Sequence, residues 1–321
     1  MLSAEPTPRA GRAGLAGRTG QNSLMKVHER PGLITCSLPS GDRLVASTYG
    51  GQVLSWTDCN GCELLYTSEL STGEGGTPVR GGVPICFPQF SGRGPLPKHG
   101  FARTSVWTVI PDERRDTVHL QLRDNASTLR VWPKRFLLDL YATLRPEQLE
   151  VRLDVHNVDE QAWSFTAALH TYIAVSDARL AKLHGLQGAD AEDALANCFF
   201  TASEDPPDLS RPIDSVYYNV GGPLRLIDAA RTVRIEQSGF TDVVIWNPGA
   251  ERAHGFPDIA VADIPRLLVV EAARTREHVQ LAPGNSWSGI QCLTASTSHV
   301  VNSKKGSDHS VMDPDSWVRD T

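Results

Sequence analysis

Cysteine is scarce in this chain. Six residues (Cys36, Cys59, Cys62, Cys86, Cys198 and Cys292) are spread over 321, with nothing of secretory character ahead of them. Disulfide frameworks belong to short, oxidised, cysteine-dense chains, so the thiols are read as reduced and the protein as cytoplasmic. Cys59 and Cys62 make one C-x-x-C, but a structural zinc site needs a second pair or histidines at ligand spacing. Asn60-Gly61 between them is a two-residue hairpin signal, and a hairpin turn is the reading. No H-x-H with a nearby carboxylate occurs, which argues against a metal-dependent sandwich enzyme and leaves no metal or cofactor expected. No apolar run approaches the roughly 20 residues of a membrane-spanning helix. Positive charge is not in excess either: 31 Lys and Arg face 37 Asp and Glu, a net charge of -6. Nucleic-acid-binding domains are usually basic, so neither nucleic acid nor membrane is expected as a partner, and any anion site must be a local cluster. Helical periodicity is nearly missing as well; only 177–186 and 189–196 suggest short helices.

What the chain has instead is strands. Short β-type runs recur between turn signals from Gly32 onward: GLITCSLPSGDRLVASTYGGQVLSW, ELLYTS, TVHLQLRD, RFLLDLYATLRP, AWSFTAALHTYIAV, RTVRIEQS, TDVVIWNP, RLLVVEAA and SWSGIQCLT. The clearest is 149–156, where Leu149, Val151, Leu153 and Val155 alternate with Glu150, Arg152, Asp154 and His156. A period of two is the signature of a half-buried strand. Many short strands without intervening helices imply an all-β, antiparallel sandwich rather than a parallel α/β sheet. Residues 25–295 read as a single domain, flanked by a disordered leader over 1–24 and a disordered tail over 296–321.

Residues 80–107, RGGVPICFPQFSGRGPLPKHGFARTSVW, fit neither pattern. Glycines open backbone angles closed to other residues and prolines fix theirs, so this is a rigidly bent loop. It presents Arg80, Arg93, Lys98, His99 and Arg103; a merely solvated surface loop is the plain alternative, and Arg93, at a glycine-rich tip, is read as solvated. RGG-x-P-x-x-FPQF followed by LP-x-HG-x-AR closely resembles the signature of the glucose-6-phosphate 1-epimerases, or hexose-6-phosphate mutarotases, within the aldose 1-epimerase superfamily. The resemblance spans about 30–293 and implies a large galactose mutarotase-like β-sandwich (a supersandwich) with a few short helices. It also implies a cofactor-free isomerase acting on a small sugar phosphate; a monomer is expected.

Interconverting the anomers of an aldose takes one proton from the C1 hydroxyl, delivers one to the ring oxygen, and recloses the aldehyde on its other face. One basic and one acidic group suffice, each worth ~10²–10⁴-fold. His170 lies in a strand whose apolar face carries Trp163, Phe165, Leu169 and Ile173, and points the other way with Thr166 and Tyr172. A histidine so placed is ordinarily held in a core by one hydrogen bond, but AALHTYIAV resembles the family segment ending in the catalytic His-Thr-Tyr. Glu271 follows Leu267–Val270 at the edge of an apolar strand, where a carboxylate is costly unless paired or reactive. Arg274 and Arg276 could pair with it; LVVEAA, however, resembles the strand ending in the catalytic glutamate. The resemblance assigns Glu271 the C1 hydroxyl proton and His170 the ring oxygen, with His99 hydrogen-bonding beside His170. It also implies that Arg80 and Arg103 contact the phosphate, a group suited to bidentate guanidinium contacts. Lys98 stands where family members often have Gln. Asp214, in PIDSVYYN, resembles the substrate-binding aspartate, and Trp246 is a candidate face for the sugar; Asp242 reads as structural. Two alternatives remain: an aldose 1-epimerase of free hexoses, and a non-catalytic carbohydrate-binding or regulatory sandwich.

Overall fold

A computed structural model describes residues 24–27, 32–203 and 205–297, with only the backbone of 24–27 and 297 described. The expected leader and tail fall outside these residues except at their inner ends: Leu24 opens the first strand, and Ser296 and Thr297 close the last.

In chain order the strands are β1 (Leu24–Val27), β2 (Leu33–Ser37), β3 (Arg43–Ser47), β4 (Gln52–Thr57), β5 (Ile85–Cys86), β6 (Thr108–Ile110), β7 (Thr117–Arg123), β8 (Phe136–Arg145), β9 (Gln148–Asn157) and β10 (Trp163–Leu169). They continue as β11 (Tyr172–Ala174), β12 (Lys182–His184), β13 (Asp190–Asp193), β14 (Cys198–Thr201), β15 (Ile213–Tyr217), β16 (Leu224–Ile227), β17 (Arg231–Ser238), β18 (Asp242–Asn247), β19 (Leu267–Leu281) and β20 (Ser286–Thr297). The first four form a meander. A second sheet runs β14-β13-β15-β18-β19-β10-β5, with β11 also on β19, and a third runs β12-β16-β17-β20-β9-β8-β7-β6. All of these ladders are antiparallel, as the strand-rich sequence implies.

One apolar cluster joins the sheets. It takes Leu138, Leu140, Val151 and Leu153 from the third sheet and Phe165, Val243, Ile245, Leu268 and Val270 from the second, and reaches from Ile34 to Ala295. Strand β9 buries every second residue, as its alternation predicts. The Asn60-Gly61 turn forms: Asp58 accepts from the backbone N–H of Asn60 and Cys62, and Gly61 takes a φ of 77°.

The two helices expected near 177–186 and 189–196 are absent. The first stretch is a single turn at Asp177 followed by β12, and the second is the β13–β14 hairpin. Asp193 decides the latter: its carboxylate accepts from Leu195 N and Ala196 N, and Asn197 turns back at a φ of 51°. A side chain that satisfies backbone donors in a turn outcompetes modest helix propensity. The one α-helix among the described residues, α1 (Ala126–Val131), lies where none was expected, started by a reciprocal capping box between Asn125 and Thr128.

Candidate active site

Strand β19 separates core from site by parity. Leu268, Val270 and Ala272 enter the main core, whereas Val269, Glu271 and Ala273 emerge on the opposite face of the sheet. Register extends that face sideways: Glu271 pairs with Val244 and Val244 with Val216, while Val269 pairs with Trp246 and Trp246 with Asp214. Two sequence-predicted residues, Asp214 and Trp246, thus share a row next to that of Glu271. Glu271 is not at a strand edge. It is the fifth residue of a fifteen-residue strand that runs on to Leu281, and is only 2% exposed.

His170 arrives where β10 breaks. Leu169 pairs with Ala272 and Tyr172 with Val269, so His170 and Thr171 bridge two ladders without regular pairing. The backbone there is held from outside: His170 N donates to Pro84 O, Thr171 O accepts from Val270 N, and the Thr171 hydroxyl donates to Gln291 Oε1. The interruption leaves the imidazole beside the neighbouring strand, its Nε2 3.5 Å from Glu271 Oε1. Tyr172 stacks on it with ring centres 4.9 Å apart.

The loop over 80–107 forms the near wall. It folds so tightly that a Cβ on Gly82 would stand 2.0 Å from Val53 O, and one on Gly100 2.0 Å from Phe87 O. Both glycines also adopt positive φ, so no other residue fits without moving backbone. The turn at Gly100 carries His99, 8% exposed, with its ring centre 5.4 Å from that of His170.

These elements enclose a cavity of about 290 Å³. Arg80, Lys98, His99, His170, Asp214, Trp246 and Glu271 all line it; Arg103 does not. The Arg103 guanidinium donates to the Lys98 carbonyl, bracing the loop, and its charge reaches His99, His170 and Glu271. Arg80 is held from two sides, by Asp258 at 2.9 Å and Tyr172 Oη at 3.1 Å.

Arg93 is not the solvated tip residue expected from its glycine neighbours. It pairs with Glu192 at 2.8 Å and donates to Tyr218 Oη, tying the loop to β13 across the cavity. The sequence reading also passed over Arg252, Phe256 and the site role of Tyr172. Arg252 and Phe256 come from the segment 250–256, which carries no motif; Tyr172 shares the parity of His170 and was legible on that ground. Asp242 accepts from Thr275 N and Oγ1, a bond that fixes β18 to β19.

Electrostatics at the floor follow from burial. Burial holds the His170 imidazole down at about 3, and the charges of Arg103 and Arg80 add to the effect. Burial raises Glu271 well above the usual carboxylate range; Asp214 adds to this, against Arg103 and Lys98. Attraction across 3.5 Å favours an imidazolium–carboxylate pair, but desolvation of both partners outweighs it and favours the neutral forms. Glu271 Oε2 and His170 Nδ1 are buried without a hydrogen-bond partner, whereas native proteins satisfy nearly all such atoms. Unpaired polar atoms on residues that line a cavity are what a site for a polyhydroxylated ligand requires.

Antiparallel sheets packed over one apolar core are the architecture of the mutarotase-like sandwiches. The chain belongs to the aldose 1-epimerase family, which it matches over residues 33–294, and is an isomerase that epimerises a sugar at its anomeric carbon. Among curated proteins it is 34% identical over 261 residues to one from Cenchrus ciliaris, covering 77% of this chain and 79% of that one. It is 30% identical over 238 residues to one from Escherichia coli (strain K12), covering 71% and 78%. Both are named "Putative glucose-6-phosphate 1-epimerase". Among solved structures, the "putative mutarotase (YeaD)" of Salmonella typhimurium superimposes with a TM-score of 0.75 at 24% identity, over 86% of this chain and 97% of that one. Slr1438 of Synechocystis sp. PCC 6803 gives a TM-score of 0.70 at 20% identity, over 89% and 100%. At these identities the structures speak to the fold, which is that of the galactose mutarotase-like sandwiches.

Proposed function

We propose that the chain interconverts the α and β anomers of a hexose 6-phosphate, with Glu271 and His170 as the acid–base pair. The observation that carries the phosphate is the charge on the cavity wall. Lys98 and Arg252 both line it, and neither forms an ion pair with a carboxylate among the described residues. Both act on Asp214, whose pKa burial raises against them. A chain with a net charge of -6 has no general reason to gather uncompensated cations here. A phosphate dianion supplies the missing negative charge. Arg80, preorganised by Asp258 and Tyr172, adds a guanidinium to the same wall.

The pair works on one shared proton. The Glu271 carboxylate takes the C1 hydroxyl proton while the His170 imidazolium gives its own to the ring oxygen, and the C1–O5 bond opens. The ring-opened aldehyde then coexists with a neutral imidazole and a protonated carboxyl. Burial favours those two forms, so the imidazolium–carboxylate arrangement that starts the step is the less favoured state of the one-proton pair. Rotation about C1–C2 and the reverse transfers close the other anomer. Trp246 and Phe256, with ring centres 5.1 Å apart, offer apolar surface to the sugar, and Asp214 accepts from its hydroxyls.

Calorimetric titration of Glu271→Gln tests the substrate class without turnover. Glucose 6-phosphate should bind at least tenfold more tightly than glucose, with the preference falling as salt rises. Equal affinities would reject the phosphate and leave an epimerase of free hexoses.

A further inference from the structure

His99 is held by more than packing. Its φ is 65°, in the left-handed region that side-chain-bearing residues seldom enter. Its N–H donates to Ser91 O, and the Ser91 N–H returns to His99 Nδ1 at 3.4 Å. The Cys86 Sγ lies 3.1 Å from the same nitrogen. A backbone N–H can only donate, so Nδ1 bears a lone pair, and a neutral imidazole with a bare Nδ1 carries its proton on Nε2. The sulfur contact then has one polarity, with Sγ–H donating. Burial, first, pushes His99 far below the ordinary imidazole range, with repulsion from His170 and Arg103 adding to it. Burial also drives the Cys86 thiol up, so both groups keep the protons this arrangement needs.

Cys86 itself cannot turn away. It is fully buried on β5, paired in register with Ala168 of β10, and packed in a small cluster with Phe90, Val216 and Val244. The hydrogen bonds of the His99 ring among the described residues are both at Nδ1, which leaves Nε2 without a protein acceptor, and the ring lines the cavity beside His170.

The geometry points to Cys86 as a positioning residue: its thiol, with the Ser91 N–H, locks His99 in the Nε2–H tautomer, so that His99 offers the sugar a hydrogen-bond donor next to His170. An oxygen gaining negative charge as the ring opens is stabilised by a donor and repelled by a lone pair. The inference rests on the acid–base reading of this cavity and is independent of whether the sugar carries phosphate.

Long-range proton–nitrogen correlation spectra of protein labelled with ¹⁵N-histidine read the tautomer directly, with the His99 signals assigned by their loss in His99→Gln. Native protein and Cys86→Ser should both show a protonated Nε2 and a bare Nδ1. Cys86→Ala leaves only the long Ser91 N–H contact on Nδ1, too weak by itself to hold the tautomer, so the variant should admit the Nδ1–H form at the expense of that contact, and kcat should fall roughly 2- to 12-fold, the worth of one ordinary hydrogen bond. Rescue by serine separates tautomer control from loss of core packing. A protonated Nδ1 in the native protein, or a Cys86→Ala variant with the native tautomer, would overturn the assignment. The native spectrum decides even if the alanine variant fails to fold, and it needs no turnover, so it stands apart from failure of the proposed reaction.

Discussion

His170 Nε2 lies 3.5 Å from Glu271 Oε1 across a gap in the sheet where β10 has ended and β11 has not begun. An unbroken β10 would pair its backbone with β19 and carry His170 through by strand parity alone. The gap, secured by Pro84 O, Thr171 and Gln291, allows a strand residue to lean on the side chain of its neighbour.

That contact predicts the effect of removing the carboxylate. Glu271→Gln preserves shape but cannot take a proton, so kcat should fall by about 10²–10⁴-fold, the range for a positioned proton transfer. The melting temperature should hold or rise, because an unpaired buried oxygen is exchanged for a neutral amide. A fully active variant removes Glu271 from the reaction.

The two shifts at the floor set the pH response. The pair is active with one proton. Activity is lost as pH falls far enough to protonate both groups, and as pH rises far enough to strip both. His170 is depressed to about 3, and Glu271 is raised. The acid limb of kcat should therefore lie well below the ordinary imidazole value near 6.5, and the alkaline limb above the ordinary carboxylate value. kcat is the quantity to follow, because the substrate phosphate itself titrates near pH 6 and would distort kcat/KM. An acid limb centred near 6.5 contradicts this account.

Cation substitutions should rank by position. Lys98→Ala and Arg252→Ala each remove a cavity cation with no carboxylate partner, and KM for glucose 6-phosphate should rise about tenfold in each case. Arg103→Ala, which removes a cation not lining the cavity, should raise KM less and act partly by loosening the Lys98 backbone. A larger effect at Arg103 than at Lys98 would place the phosphate on the other side of the loop.

Gly100→Ala tests the loop itself. Its Cβ would meet Phe87 O at 2.0 Å with φ at 68°, and strain of this kind costs on the order of 1–3 kcal/mol. Thermal unfolding should shift down, and His99, one residue away, should lose its contact with Ser91. An unchanged melting temperature would mean that the 87–100 crossing is looser than described.

How much of this was legible depended on whether one residue or several decided the outcome. The alternation of β9 and the apolar run of β19 name their own burial, and the resemblance of 80–107, His170 and Glu271 pointed to side chains that do converge. Alanine-rich 189–196 misled, because one aspartate fixing a turn outweighs several weak helix formers. Arg93 looked solvated because its partners, Glu192 and Tyr218, are brought near only by the sheet order. Arg252 was invisible for the same reason. Arg103, assigned to the phosphate by resemblance, is absent from the cavity lining and acts on His99, His170 and Glu271 through its charge.

Anomer exchange followed by NMR magnetisation transfer tests the central claim most directly, with glucose 6-phosphate, glucose and galactose compared in one buffer. Enzyme-dependent exchange of glucose 6-phosphate, with little or none of the free sugars, is the predicted result. Exchange of the free sugars at equal rates would contradict the phosphate assignment, and folded protein that exchanges none of the three would contradict the acid–base site.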